Sequence, residues 1–164
     1  MIGYDREMRT KPFVMAMSAV VFAGMAAISA QPQPASAALP KVTVYKTSSC
    51  GCCRLWVDHL KKSGFDVQSM DVSAGDVRAI SKAAGLKDQD TSCHTAKIGN
   101  YTVEGHVPAD DIKKMLKEKP AIAGLAAPGM PMGSPGMEQG NAKEAYDVIA
   151  FKKDGTSTVY AKHK

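Results

Sequence analysis

Three of the chain's four cysteines occupy four consecutive positions, Cys50-Gly51-Cys52-Cys53, where an apolar strand-like run gives way to a helical pattern. Cysteines packed this closely cannot staple distant segments together. At most one long-range bridge, to Cys93, is geometrically open, which leaves two sulfurs over. An even cysteine count in an exported chain ordinarily signals structural disulfides, but this spacing argues against that reading and leaves a core to hold the fold. Two spacings overlap in the cluster. Cys50 and Cys53 form the C-x-x-C of dithiol redox sites, while Cys50 and Cys52 form a C-x-C suited to clamping a soft metal. The third sulfur tilts the choice toward metal, because beside a redox pair it invites competing disulfides, and a vicinal Cys52-Cys53 disulfide closes a strained ring.

Export is read from the N-terminus. Arg6, Arg9 and Lys11 precede an apolar stretch from Phe13 to Ile28, and small residues follow, the pattern of a secretory signal. Ala35-Ser36-Ala37 is an A-x-A cleavage site, with Ile28-Ser29-Ala30 a weaker alternative, so residues 1–37 are expected to be a signal peptide and 38–164 the mature domain. The competing reading is an uncleaved anchor. The apolar run is short for a spanning helix, and Gly24, Ser29 and Gln31-Pro32-Gln33-Pro34 weaken it further. No later segment is long and apolar enough to span, so no membrane contact is expected after cleavage. The residues beyond position 37 are enough for one domain with a single modest core. They carry 18 Lys and Arg against 14 Asp and Glu, spread along helical faces. Lys61-Lys62 and Lys113-Lys114 have no neighbouring aromatics or glycine-rich phosphate loop, which argues against a nucleic-acid partner.

The mature part reads as an ordered series of elements. Val42 to Lys46 alternates as a strand, and Leu55, Trp56 and Leu60 carry a helical period from about Cys52 to Lys62, ended by Ser63-Gly64. Phe65 to Val72 is extended again, and Asp76 to Ala84 forms a short helix closed by Gly85. Thr95 to Ile98 and Tyr101 to Glu104 flank the hairpin signal Gly99-Asn100, and Pro108 to Lys119 is a helix with proline in its first turn. The order βαβαββα predicts an α/β, thioredoxin-like mixed sheet flanked by helices on both faces. A Pro/Gly/Met-rich loop is expected from Pro120 to Gly140, followed by an added hairpin, Tyr146 to Phe151 and Thr156 to Tyr160, turning at Asp154-Gly155 and laid against the sheet edge or over the site.

In that topology the loop after the first strand adjoins the loop entering the third, here Ser92-Cys93-His94-Thr95. Thioredoxins usually hold a cis-proline there; this chain places a thiol and an imidazole instead. Cys93 and His94 are therefore expected to face Cys50, Cys52 and Cys53. The start of the first helix lies close to the thiols and favours thiolate, which serves metal binding and disulfide chemistry alike. Soft thiolate and thioether donors select Cu(I), although Zn(II) also accepts a Cys/His tetrahedron. Met130, Met132 and Met137, in a glycine- and proline-rich run, supply the copper-specific hint; the bland alternative is that each plugs an apolar surface. His106 is a ligand candidate or a loop histidine. His59 is expected to be a solvated or packed helix position, His163 a solvated tail residue, and Trp56 a core residue.

At these residues the chain resembles the CopG-like family of exported copper-resistance proteins, long catalogued as a domain of unknown function. The matching pieces are Cys50-Gly51-Cys52-Cys53, Ser92-Cys93-His94-Thr95, Glu104-Gly105-His106-Val107-Pro108, Gly129-Met130-Pro131-Met132-Gly133-Ser134-Pro135-Gly136-Met137 and Tyr146-Asp147-Val148, with no departure at any of them. The resemblance implies a periplasmic, thioredoxin-like protein holding Cu(I) in a small thiolate-bridged cluster, with a role in copper redox or transfer. On the leading reading Cys50, Cys52, Cys53 and Cys93 ligate more than one Cu(I), capped by His94, His106 and one or more of Met130, Met132 and Met137. Its partners would be copper ions and other periplasmic copper-resistance or electron-transfer proteins. The alternative is a thiol-disulfide oxidoreductase in which Cys50 attacks and Cys53 resolves. An exported iron-sulfur protein is a third reading, which vicinal ligands suit poorly and which leaves the methionines unexplained.

Overall fold

The computed structural model describes residues 38–164; the expected signal peptide and its cleavage site lie outside the described residues. Seven strands form one mixed sheet in the order β2-β1-β3-β4-β5-β6-β7. The elements follow along the chain as β1 (Val42–Lys46), α1 (Gly51–Lys62), β2 (Val67–Asp71), α2 (Ala74–Ala83), β3 (His94–Ile98), β4 (Tyr101–Gly105), α3 (Ala109–Glu118), β5 (Gly124–Ala127), β6 (Tyr146–Phe151) and β7 (Ser157–His163). β1 runs parallel to β2 and antiparallel to β3, with Lys46 opposite His94. The βαβαββα order expected from the sequence is thus present, with its helices on both faces. Among the described residues no helix is long and apolar enough to cross a membrane.

Side-chain alternation divides the sheet. Val42, Val44, Ala96, Ile98, Val103, Leu125 and Val148 pack on one face against Trp56, Val57 and Leu60 of α1 and Ile112 and Met115 of α3. On the other face, Ala84 and Leu86 at the end of α2 pack with Ala126 and Phe151. Each helix start has its own chemistry. Ser73 and Asp76 close a capping box on α2. Asp110 and Asp111 lie in the first turn of α3, where the helix dipole favours acids. Pro108, its N-cap, offers no side-chain acceptor, and the Nε2 atom of His59 accepts the Ala109 N–H at 3.1 Å instead.

The segment expected to be one long loop contains β5. Gly124–Ala127 is buried throughout, parallel to β4 and antiparallel to β6. A strand buried on both faces shows no alternation, and Gly-Leu-Ala-Ala has little intrinsic strand preference, so neither signal marks it. The added hairpin extends the sheet through β5. β7 runs on to His163, which corrects the expectation of a solvated tail: its ring stacks on Tyr146 and its Nε2 lies 2.7 Å from Asp111 Oδ2.

Candidate metal centre

Cys50 is the N-cap of α1, and its sulfur accepts the Cys53 N–H at 3.3 Å. Gly51, Cys52 and Cys53 open the helix, which places three sulfurs on its first turn. Cys53 faces the core and is fully buried, while Cys50 and Cys52 are half-buried. Cys93 stands in the loop just before β3. Its sulfur lies 3.4 Å from that of Cys53 and 3.9 Å from that of Cys52. All four sulfurs lie within 4.8 Å of one another. The two loops meet as the sequence predicts, and among the described residues there is no cis peptide bond.

Cys93 also belongs to a second group. Its sulfur is 3.5 Å from His94 Nδ1 and 3.5 Å from His106 Nε2, and these three ligand atoms likewise lie within 4.8 Å of one another. Both imidazoles are buried, His94 beside Trp56 with ring centroids 4.5 Å apart and edge-on to His106 at 5.0 Å. His106 Nδ1 is 2.8 Å from the Pro135 carbonyl. A carbonyl only accepts, so Nδ1 carries the proton and Nε2 presents its lone pair to Cys93. Burial, and then the neighbouring His106, push the His94 pKa down to about 3. Burial also lowers that of His106, against the opposing pull of the Pro135 carbonyl and Glu138. Both rings are thus held neutral, the form that binds metals.

The electrostatics of the thiols departs from the expectation that the helix start favours thiolate throughout. Burial, followed by the adjacent Cys52, pushes the Cys93 pKa up to about 12. Cys93 belongs to the β3 approach, and desolvation prevails there. A metal that takes Cys93 must displace its proton. Cys50 and Cys53 are joined as a disulfide, whereas Cys52 and Cys93 are free. The long-range bridge to Cys93 is not formed; the local pair, three residues apart, closes instead.

The C-terminal Gly/Pro/Met run lies against this centre. Gly136 has φ +86°, and a Cβ there would sit 2.7 Å from Trp56 N and 2.8 Å from Cys52 O, so only glycine lets the run approach the start of α1 this closely. Met130 borders a cleft of about 260 Å³ with Thr91, Ser92, Cys93 and Gly129. Met132 is exposed, with its backbone paired to Glu144, and Met137 is half-buried.

Sequence reasoning missed the residues that hold the centre from behind. Glu104 of β4 is fully buried and accepts the Ser92 N–H at 2.7 Å and the Ser81 hydroxyl at 2.8 Å. Burial raises its pKa against the lowering effect of those bonds. An acidic residue between Val103 and Gly105 in a strand pattern was the available signal. His59, expected as a packed or solvated position, proves to be the acceptor at the start of α3.

The donor set fits a soft metal. Four sulfurs and two neutral imidazoles converge, and His94 Nε2 is buried with no hydrogen-bond partner among the described residues. Copper would supply the thiophilic centre that such donors prefer.

Residues 91–137 match the family described as "Protein of unknown function, DUF411". A solved structure titled "Copper resistance protein copG- Form 1" is similar at 40% identity and a TM-score of 0.70, covering 76% of this chain and 98% of the other. Its Form 2 is similar at 41% identity and a TM-score of 0.70, over 77% and 99%. No curated protein matches the chain.

Proposed function

Because the chain belongs to the family of DUF411 and CopG copper resistance proteins, we propose that it is a periplasmic Cu(I)-binding protein of copper resistance. On this reading residues 1–37 direct export and are removed, and the thioredoxin-like domain buffers or delivers copper or passes it between Cu(I) and Cu(II). The observation that carries the proposal is the position of Cys93. Its sulfur is common to a four-cysteine group and a Cys-His-His group, so neighbouring ions can share it as a bridge. Cys50, Cys52, Cys53 and Cys93 would supply the thiolates and His94 and His106 the imidazoles, for more than one Cu(I). Met130, which borders the cleft at Cys93, Met132 and Met137 are the thioether candidates, one or more of which would join them.

An anaerobic Cu(I) titration of the reduced protein against a competing chelator, with free thiols counted at each step, tests this. Uptake of more than one copper with protection of all four thiols is expected. Uptake of a single weakly held ion, with Cys50 still reactive, would sink it.

One observation favours a second reading, that of a thiol-disulfide oxidoreductase: Cys50 and Cys53 are paired as a disulfide at the start of a helix. Reduction of a model disulfide by the parent, lost in Cys50→Ser, would support that activity. An inactive parent would remove it. The two readings share sulfurs, since closing the pair withdraws two thiolates from the metal.

A further inference from the structure

A carboxylate sealed in a core costs more than two ordinary hydrogen bonds return, so stability alone gives no reason for an acid at position 104. Glu104 lies on the sheet face covered by α2, opposite the face on which His94 packs against Trp56. It belongs to neither potential metal-holding group. What it grips is the backbone next to a sulfur. Oε1 takes the N–H of Ser92, the residue before Cys93, and Oε2 takes the hydroxyl of Ser81, itself fully buried on α2. Ser92 then extends the chain of contacts, its hydroxyl donating to the Gly129 carbonyl beside Met130. The Gly129 N–H returns to the Thr91 carbonyl at 3.4 Å.

We propose that Glu104 is a positioning residue of the metal centre: by anchoring the Ser92 N–H to α2 it fixes the Cys93 sulfur against Cys52 and Cys53, and through Ser92 it fixes the Gly129–Met130 wall of the adjoining cleft. The consequence for copper rests on the proposed function; the grip on Cys93 does not. Ser92 lies outside any strand, so no ladder bond holds its N–H if the carboxylate is removed. A glutamine can replace the grip. Its amide oxygen accepts the Ser92 N–H, its amide N–H donates to Ser81, and the Ser81 hydroxyl keeps its other acceptor, the Val77 carbonyl at 3.0 Å.

The test uses the full chain, reduced and metal-free, with the alkylation rate of Cys93 measured relative to Cys52 by peptide mass spectrometry. Cu(I) affinity against a chelator is measured in parallel. Glu104→Ala should speed Cys93 alkylation and weaken Cu(I), each by at least about tenfold, the lower end for loss of an outer partner. Glu104→Gln should stay within roughly twofold of the parent in both, since the amide restores the grip. Parent-like behaviour of Glu104→Ala would overturn the proposal, and so would a glutamine variant as impaired as the alanine one. Should Glu104→Ala not fold, Ser81→Ala removes only the α2 anchor. Faster Cys93 alkylation there supports the grip, and an unchanged rate overturns it. Should the parent bind no Cu(I), the copper reading fails while the alkylation ratio still decides the role of Glu104.

Discussion

Cys50, Cys52 and Cys53 share one turn of α1, held by that helix's own cap, while Cys93, His94 and His106 owe their positions to contacts from distant parts of the chain. The first half is local: its geometry follows from helix pitch and needs little beyond residues 50–62. The second half is assembled. Glu104 holds the approach to Cys93, the Pro135 carbonyl sets the His106 tautomer, and Trp56 packs on His94 and donates its indole N–H to Val107 O at 2.9 Å. Exposure is mixed within each half: Cys50 and Cys52 are half-buried and Cys53 buried in the first, Cys93 half-buried and both imidazoles buried in the second. The half-buried sulfurs of both halves can meet an ion from solvent, and the buried imidazoles of the assembled half can set its coordination away from water.

The largest effect that tests this contrast is loss of the shared sulfur. Cys93→Ala should reduce the number of bound Cu(I) ions and weaken the remainder by more than the roughly 10–100-fold typical of an outer partner. Parent-like stoichiometry and affinity in the chelator competition would show that the α1 cysteines suffice, and the division would collapse.

Acid should strike the assembled half next. His94 and His106 are held below their ordinary pKa in the fold and regain it on unfolding, so the unfolded chain binds more protons between the two values. Stability is therefore fully present above about pH 6.5 and lost as pH falls toward the His94 value of about 3. From pH 6.5 to 5, His94 alone accounts for on the order of 2 kcal/mol. Glu104, raised by burial, acts in the opposite sense, losing its stabilisation as pH climbs above the ordinary carboxylate range. Urea midpoints of the metal-free protein at the two pH values measure the balance. Equal midpoints in Glu104→Gln, which lacks the opposing group, would mean that the imidazoles are not buried neutral.

The smallest effect is a control at a residue that belongs to neither half. Ser73→Ala removes the α2 capping box and should cost about 1 kcal/mol in urea unfolding, leaving Cu(I) affinity unchanged. A change in affinity would show that the assembled half extends farther through α2 than Ser81.

What was legible in the sequence follows the same line. The α1 cysteines, the hairpin at Gly99-Asn100 and the meeting of Cys93 with the cluster follow from short motifs and element order, and the structure contains them. β5 escaped because Gly124–Ala127 is buried on both faces and made of weak strand formers. The high Cys93 pKa escaped because desolvation depends on what the fold packs around a thiol, which no local pattern encodes. His59 and His163 were read as unremarkable helix and tail residues, yet each finds its partner on α3, a placement visible only in three dimensions.

Gly136 imposes a limit on drift among related chains. The position tolerates neither a methyl group, which would meet the backbone of Trp56 and Cys52, nor a change in the hand of its φ. Gly51, though it sits inside the cysteine motif, has open space around its missing Cβ. In an aligned set of relatives, position 136, eighty-five residues from Gly51 and with no donor atom of its own, should stay fixed with the sulfurs, a limit that packing does not set at position 51.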